Sequence, residues 1–215
     1  MKLNYQEKIW TGNFGKKYSE RNNYSSYQKW NNFYFERYGC SKENINYQFL
    51  ENINKDIKIL EIGCNLGQQL FCLYKMGFKN LYGIEIQSYC INQIRKNKKN
   101  CFNVIQASAY DIPFNTNYFD LVFTNNVLIH FPPKKIRKVL NEAYRVSSKW
   151  IWGFEYYSKK YVEILYRNHQ NMLWKNDYAN LFLRQFNSLK LKKKKLYTNL
   201  MNNKEIDSMY LLKKK

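Results

Sequence analysis

Two acidic residues and two glycines mark a candidate binding loop in the first half of the chain. Glu61, Gly63 and Gly67 follow an apolar run in a Glu-x-Gly-x-x-x-Gly spacing, and Glu85 lies near the end of a second apolar run, 24 positions after Glu61. Glycines let a backbone approach a ligand closely and adopt torsions that a Cβ would forbid. A carboxylate at the end of a second strand can accept hydrogen bonds from both hydroxyls of a ribose. The pattern therefore predicts a site for a nucleotide-like cofactor.

The elements that position this loop follow from hydrophobic patterning. We predict strands at 57–62, 79–86, 102–106, 119–124 and 149–155, helices at 67–76, 88–98 and from Pro132-Pro133 onward, and a final antiparallel strand pair at 189–197 and 205–213. Gly77 occupies the C′ position expected after the first of these helices. The predicted fold is α/β, with a Rossmann-like, seven-stranded, mostly parallel sheet flanked by helices.

Two segments outside this alternation are predicted to cover the site. Residues 1–55 are polar, rich in Tyr and Asn and mostly helical, and we expect them to form an N-terminal helical lid. Residues 56–215 are expected to form the cofactor-binding domain. Within it, residues 156–180 show no strand alternation after the fifth strand, so we interpret them as a substrate cap insertion.

Bulk composition narrows the class of protein. The chain has 215 residues, of which 45% are apolar, so it can bury a core and wholesale disorder is excluded. It shows no signal-peptide run and no apolar stretch near the roughly 20 residues of a membrane helix, so we expect a soluble cytoplasmic protein without a membrane span. The five cysteines form no Cys-x-x-Cys pair and lie at no metal spacing from a histidine, so we expect reduced thiols and no metal site.

The formal net charge of +20 has two explanations. An excess of basic residues suits an anionic partner such as nucleic acid, a membrane surface or a phosphorylated substrate. However, lysines far outnumber arginines, and the abundant Asn, Ile, Tyr and Phe share A/T-rich codons with lysine, so a biased base composition is the alternative source of the charge. Specific phosphate recognition favours arginine. Nucleic acid is therefore a partner that we consider but do not favour, and the sequence does not specify an oligomeric state.

Four successive motifs resemble the cofactor-binding region of the class I, Rossmann-like S-adenosylmethionine (SAM)-dependent methyltransferases. After the 61–67 loop and Glu85, the segment 108–114 is similar to the family's Asp-Ala-x-x-Leu-Pro-Phe, and the segment 119–130 is similar to the stretch beneath the methionine end of the cofactor. The resemblance implies SAM as the cofactor, with Glu61 anchoring the loop and the methionine amino group. In the family, the acid of the third motif and the next amide read the adenine. Ser108 replaces that acid, and its hydroxyl is expected to meet the adenine amino group.

The flanks resemble a narrower group, the pseudaminic acid biosynthesis-associated methylases. The similarity covers residues 10–15 (Trp-Thr-Gly-Asn-Phe-Gly), Tyr18, 21–22, 127–130, 155–157, 166–169 and 175–179. It implies a methyl acceptor that is a sugar or a sugar-linked small molecule of the nonulosonic-acid or surface-glycan type.

These motifs and resemblances give a set of candidate site residues. The predicted cofactor-binding residues are Glu61, Gly63, Cys64, Asn65, Gly67, Glu85, Ile86, Ser108, Ala109, Asn125, Phe14 and Arg21. The predicted substrate-binding residues, which offer aromatic faces and hydrogen-bonding groups to carboxylates and hydroxyls, are Tyr18, Asn22, Tyr157, Tyr166, Arg167 and Trp174. We expect His130 or His169 to act as general base, with Glu155 orienting the histidine or replacing it.

Alternatives stay open at this point. Trp10, Phe14 and Trp174 are equally compatible with a lid or cap core, and His130 is compatible with a local backbone cap. The favoured acceptor is a small molecule, and the alternative is RNA or protein held by the basic surface. The segment 125–128 (Asn-Asn-Val-Leu) stands where many base-amine methylating enzymes carry Asn/Asp-Pro-Pro-Tyr/Phe, which counts against a nucleic-acid amine as acceptor. A non-catalytic protein that keeps the fold as an interaction module is disfavoured by the intact loop and acids.

Overall fold

A seven-stranded sheet organises the chain, whose computed structural model describes residues 3–97 and 101–215. The strands of the described residues are β1 (Lys58–Ile62), β2 (Asn80–Glu85), β3 (Asn103–Gln106), β4 (Phe119–Asn125), β5 (Ser147–Tyr156), β6 (Val162–Glu163), β7 (Trp174–Lys175), β8 (Leu189–Thr198) and β9 (Ile206–Lys214). The helices are α1 (Tyr5–Thr11), α2 (Asn13–Arg21), α3 (Tyr27–Tyr38), α4 (Lys42–Leu50), α5 (Gln68–Lys75), α6 (Ser88–Asn97), α7 (Ile136–Val146) and α8 (Tyr178–Gln185), with a 3₁₀ turn at Leu128–His130.

The strand order is β3-β2-β1-β4-β5-β9-β8, which confirms the predicted α/β fold. The first five strands in this order run parallel, and β9 is antiparallel to both of its neighbours. The chain leaves β1 toward β2 on one side and returns through β4 on the other. The carboxyl ends of β1 and β4 therefore meet at a topological switch point, where sheets of this kind bind ligands.

Helices cover both faces of the sheet. One core layer joins the sheet to α7 and α8, and the other joins it to α3, α4, α5 and α6. Because both of its faces are covered, β1 is mostly apolar, and its Ile59, Leu60 and Ile62 are fully buried. The described part of the 1–55 segment, residues 3–55, is mostly helical as expected, but α3 and α4 belong to a core layer through Trp30 and Phe49. The division into a lid and a cofactor-binding domain stays a prediction.

Some predicted boundaries were wrong. The helix expected from Pro132-Pro133 begins at Ile136, because the amides of Lys135 and Ile136 both donate to the Pro132 carbonyl and close a turn first. The 156–180 segment was expected to lack strands, yet it contains the β6/β7 hairpin, whose two-residue strands are too short to show alternation. The predicted end of the 88–98 helix, Lys98, lies outside the described residues.

The described residues also bear on membranes, metals and disulfides. Across residues 3–97 and 101–215, none of the helices combines the length and hydropathy needed to cross a bilayer. The same residues contain no group of three His, Cys, Asp or Glu side chains arranged to hold a metal ion. The five cysteines, all of them described, are free thiols.

Candidate functional site

A cavity of about 410 Å³ opens at the carboxyl ends of the parallel strands. This volume lies within the ~300–1,000 Å³ typical of small-molecule sites. Its floor consists of the loops after β1, β2, β3 and β4, and its walls come from α1, α2, α3 and the turn at 166–167. The cavity thus lies at the switch point that the strand order creates.

The loop after β1 is shaped by left-handed residues. Gly63 has a φ of +71° and Asn65 a φ of +46°. A Cβ on Gly63 would come within 2.9 Å of the Val127 side chain, so only glycine fits between the two loops. The Gly63 amide donates to the Ile84 carbonyl at 2.8 Å, which ties the loop to β2. The loop therefore presents its backbone to the cavity at close range.

The carboxylate of Glu85 is held by three backbone amides. Its Oε2 accepts from Asn65 N at 2.8 Å, and its Oε1 accepts from Ile86 N at 2.7 Å and from Gln87 N at 3.0 Å. Burial raises the pKa of this carboxyl, and the three amide donors oppose the shift. The side chain lines the cavity with its orientation fixed and with lone pairs left for a ligand's hydroxyls.

Ser108, after β3, contacts a residue that the sequence analysis missed. Its hydroxyl donates to Oε1 of Glu7, a buried residue of α1, and accepts from the amide of Tyr110 at 3.1 Å. The Ser108 proton is therefore directed to a carboxylate in the cavity wall. The spacing of Asn4 and Glu7 predicts a helix start, because the two residues form a capping box. It does not predict the contact between Glu7 and Ser108.

At the end of β4, Asn125 is held by a fully buried lysine. Lys42 Nζ donates to Asn125 Oδ1 at 2.8 Å and lies 3.5 Å from the centroid of the Phe154 ring. Burial lowers the pKa of Lys42 to about 7. This bond occupies the side-chain oxygen of Asn125 and fixes the orientation of a residue that lines the cavity. Sequence analysis gave no sign of Lys42, since a lone lysine at a helix start is ordinarily solvated.

The two histidines lie in different surroundings. His130 lines the cavity, and its Nδ1 lies 2.8 Å from the Met172 carbonyl oxygen, which can only accept, so Nδ1 carries the proton. Burial lowers the pKa of His130 to about 4. His169 is exposed, does not line the cavity and packs its ring against Phe14, with centroids 5.0 Å apart.

Glu155 lies behind the cavity wall rather than in it. The residue is fully buried, and its Oε1 accepts from the amide of Val127 at 3.2 Å at the start of the 3₁₀ turn. Burial raises the pKa of Glu155 to about 7. In this structure it supports the turn that carries His130, and it does not line the cavity.

The cavity brings together most of the predicted site residues. Those that line it are Glu61, Gly63, Cys64, Asn65, Glu85, Ile86, Ser108, Ala109, Asn125, Tyr18, Asn22, Tyr166, Arg167 and His130. The predicted residues outside the lining are Gly67, Phe14, Arg21, Tyr157, Trp174, His169 and Glu155. Gly67 faces Phe102, and Trp174 is 3% exposed and buried in the hairpin with its carbonyl bound by Tyr178. Arg21 points to solvent, and a Lys194 ammonium lies over the Tyr157 ring.

The cavity wall also contains residues that the sequence pattern alone did not single out. α3 contributes aromatic side chains and a guanidinium, and β5 ends in one more ring; they are Trp30, Phe33, Tyr34, Arg37, Tyr38 and Tyr156. Arg37 Nη2 pairs with Glu205 at 2.7 Å. The sequence signal was the helical stripe of aromatics in α3, which is equally typical of a core helix.

Unpartnered polar atoms concentrate on this cavity. Among the described residues, six buried side-chain atoms of the lining lack a hydrogen-bond partner: Gln6 Oε1, Trp10 Nε1, Arg37 Nε, Gln69 Oε1, Tyr110 Oη and Asn126 Oδ1. A buried polar group without a partner costs roughly 1–3 kcal/mol. These donors and acceptors fit a polar ligand that would satisfy several of them together.

Comparisons with known proteins agree with this geometry. Residues 60–149, which include β1, β2, β3 and β4 and the loops of the cavity floor, match the sequence family described as a methyltransferase domain. Residues 60–149 therefore resemble a methyltransferase domain in sequence, and the strands that they contain have the fold of solved methyltransferases. The match stops at the start of β5, so the walls contributed by α1, α2, α3 and the cap lie outside the matched part of this domain.

Individual relatives extend the comparison. The chain is 30% identical over 94 residues, 41% of its length, to 24-methylenesterol C-methyltransferase 2 of Arabidopsis thaliana. The matches to curated relatives span only 26% to 39% of those proteins. In fold, the whole chain superimposes on 99% of a magnesium protoporphyrin IX methyltransferase from Synechocystis PCC 6803, solved with bound SAM, with a TM-score of 0.73 and 11% identity. The PH0226 protein of Pyrococcus horikoshii OT3 has a TM-score of 0.63 and 17% identity, over 80% of this chain and 89% of that one.

The buried Lys42 should make the unfolding free energy of this protein depend on pH. Because burial lowers the Lys42 pKa from 10.5 to about 7, the unfolded chain binds more protons than the native protein between these values. The unfolding free energy contributed by Lys42 therefore rises with pH, with a slope of up to about 1.4 kcal/mol per pH unit. Lys42→Met should remove this slope, measured by urea unfolding at several pH values from neutral to alkaline. The exposed Lys138→Met should keep it, and a wild-type slope in Lys42→Met would contradict the assignment.

Proposed function

We propose that this protein is an enzyme that transfers the methyl group of SAM to a small-molecule acceptor carrying acidic or sugar-like groups. The observation that carries the proposal is the Glu85 carboxylate, fixed by three amides beside the glycine loop in a cavity that is also lined by aromatic rings and a guanidinium. One end of the cavity thus suits a nucleoside, and the other suits a polar molecule with apolar faces.

In this proposal the cofactor lies along the floor of the cavity. Glu85 accepts the two ribose hydroxyls, and the backbone of the Gly63 loop lies along the methionine chain. Asn125 is the last residue of β4 and Glu61 the last but one of the neighbouring β1, and in this proposal both face the methionine end. When bound, SAM supplies an electrophilic methyl group, which a nucleophile takes up in an in-line displacement. The chain's part is to hold the two reactants in line and to exclude water.

The acceptor wall supports an acidic or sugar-like substrate. The Nε of Arg37 is buried without a partner, so this guanidinium still has a donor for a ligand carboxylate while its Nη2 stays paired with Glu205. Arg167 adds a second guanidinium at the exposed rim. The flat rings of Tyr34 and Trp30 offer apolar faces to a sugar ring. The resemblance of the flanking segments to methylases linked with nonulosonic acids points to the same class of acceptor.

His130 is the candidate base because it alone of the three predicted catalytic residues lines the cavity. With Nδ1 bound to the Met172 carbonyl, the free lone pair is on Nε2. Its lowered pKa, about 4, keeps His130 neutral at physiological pH but makes it a weak base. This suits an acceptor that is already nucleophilic, such as a carboxylate, and needs the imidazole chiefly for orientation.

The cofactor assignment predicts that Glu85→Ala and Gly63→Val lose SAM binding while the domain stays folded. Glu85→Ala removes the ribose acceptor, and Gly63→Val forces a side chain into Val127 at a φ of +71°. Calorimetric titration should show an affinity for SAM reduced by about 10²-fold or more in each variant. The exposed Asp56→Ala serves as the control and should bind as wild type. Unchanged affinity in both site variants would contradict SAM binding at this loop.

The acceptor class is tested by following labelled methyl groups from SAM into acidic sugars, neutral sugars, RNA and peptides. We expect transfer to acidic sugars, and we expect Arg37→Gln to raise their KM by about tenfold while kcat changes little. Arg184→Gln, an exposed arginine on α8, should leave both constants unchanged. Transfer to RNA that weakens steeply with salt, without transfer to sugars, would instead favour the macromolecular alternative.

The base assignment predicts different outcomes for the two histidines. His130→Ala should lower kcat by less than the ~10²- to 10⁴-fold that removal of a general base costs, because the weakly basic imidazole chiefly orients the acceptor. His169→Ala should keep wild-type turnover, because its ring lies outside the cavity. Since the His130 pKa is about 4, the wild-type kcat should show no titration of this residue at neutral pH. Wild-type turnover of His130→Ala and His169→Ala under saturating SAM would contradict base catalysis by histidine.

A further inference from the structure

A carboxylate from outside the methyltransferase domain lines the cofactor cavity. Glu7 belongs to α1, far in sequence from the matched residues 60–149, yet its side chain lies in the cavity wall and is 8% exposed. Its Oε1 accepts from the hydroxyl of Ser108, and its Oε2 accepts from the amide of Asn4 at 2.8 Å. Two of the about four lone pairs of the carboxylate are thereby used, and the others are available.

A second acceptor beside Glu7 has no partner. Gln6, the preceding residue of α1, is 8% exposed, lines the same cavity and leaves its buried Oε1 without a hydrogen bond. Leaving such an atom buried and unpaired is unfavourable unless a ligand provides a donor. α1 therefore presents two oxygen acceptors to this end of the cavity.

The sheet order defines which part of a cofactor reaches this end. Asn125 at the switch point faces the methionine end, and Glu85 at the end of β2 takes the ribose. β3 lies on the far side of β2, so the base attached to that ribose extends toward the loop after β3. Ile86 and Ala109 line the cavity next to Glu85 and Ser108 and provide apolar surfaces for a flat ring. The groups there that can read a base edge include the acceptors of Gln6 and Glu7.

We propose that Glu7, assisted by Gln6, accepts the exocyclic amino group of the cofactor's adenine, so that the acid recognising the base is supplied by the N-terminal helix α1 and not by the loop after β3. The inference rests on the proposed function. Ser108, which holds Glu7 Oε1, orients the carboxylate instead of meeting the amine itself. Binding of the base and docking of α1 onto the sheet then depend on the same side chain.

A purely structural role for Glu7 makes a different prediction. As a capping-box residue, Glu7 stabilises the start of α1 through Asn4, and glutamine serves nearly as well at this position. A cap would affect the binding of any nucleoside equally. Recognition of the amine would instead distinguish adenine from a base with a 6-oxo group, because a carboxylate accepts from an amine but repels a carbonyl oxygen.

The test compares two ligands, S-adenosylhomocysteine and S-inosylhomocysteine, by calorimetric titration of the full chain. We expect the wild-type protein to prefer the adenine ligand by about ten- to hundred-fold, the range for losing one hydrogen bond to a charged group. Glu7→Gln should reduce this preference to about threefold or less, because its amide can donate to the 6-oxo group. Glu20→Gln, an exposed carboxylate on α2, is the matched control and should keep the wild-type preference.

A second experiment moves the acid from position 7 to position 108. Glu7→Ala should lose the preference, and Glu7→Ala combined with Ser108→Asp should regain most of it, because the Ser108 side chain already reaches hydrogen-bond distance of the Glu7 carboxylate. An unchanged preference in Glu7→Gln, or equal affinity of the wild type for both ligands, would overturn the inference while leaving SAM binding intact. Failure of the wild type to bind S-adenosylhomocysteine at all would overturn both the inference and the proposed cofactor.

Discussion

The site depends on one buried carboxylate that joins two loops. Glu85 accepts hydrogen bonds from the amide of Asn65 in the loop after β1 and from the amides of Ile86 and Gln87 after β2. A buried charge is tolerated only where such donors compensate for lost hydration. Both loops must therefore adopt their bound-like shape before any ligand arrives, and the left-handed Gly63 is the residue that permits it. The carboxylate is therefore preorganised for the ribose hydroxyls that we propose it accepts.

The N-terminal helices depend on this arrangement in turn. The Asn65 side-chain amide donates to Ser19 of α2 at 2.9 Å, and Ser19 also accepts from the thiol of Cys90 on α6. α2 is therefore attached to the same loop whose backbone Glu85 fixes. Gly15 lets α2 pack closely against α1, because a Cβ on Gly15 would overlap the backbone carbonyl of Trp10 in α1. The cover of the cavity is thus connected to its floor by polar contacts, which are lost together if the loop changes shape.

The sequence predicted the parts of the site that local rules determine. Gly63, Asn65 and Glu85 were found because a glycine turn after a buried strand and an acid after the next strand follow from backbone geometry. Lys42 and Glu7 were missed, because their partners lie 83 and 101 positions away and nothing nearby marks the contact. Trp174 was assigned to the substrate because an aromatic residue has the same pattern in a core as in a binding pocket. Long-range packing decided each of these cases.

Buried ionisable groups surround the floor of the cavity on more than one side. Lys42 lies under Asn125 and Glu155 under the 3₁₀ turn, and burial brings the pKa of each to about 7. A protein selected for stability alone would favour apolar groups at these positions, because desolvating a charge is costly. Their retention is explained if each holds a cavity residue in one orientation, as Lys42 does for Asn125 and Glu155 does for the turn that carries His130. These buried groups lower the stability of the fold, and in return they hold the cavity residues in place before the reactants bind.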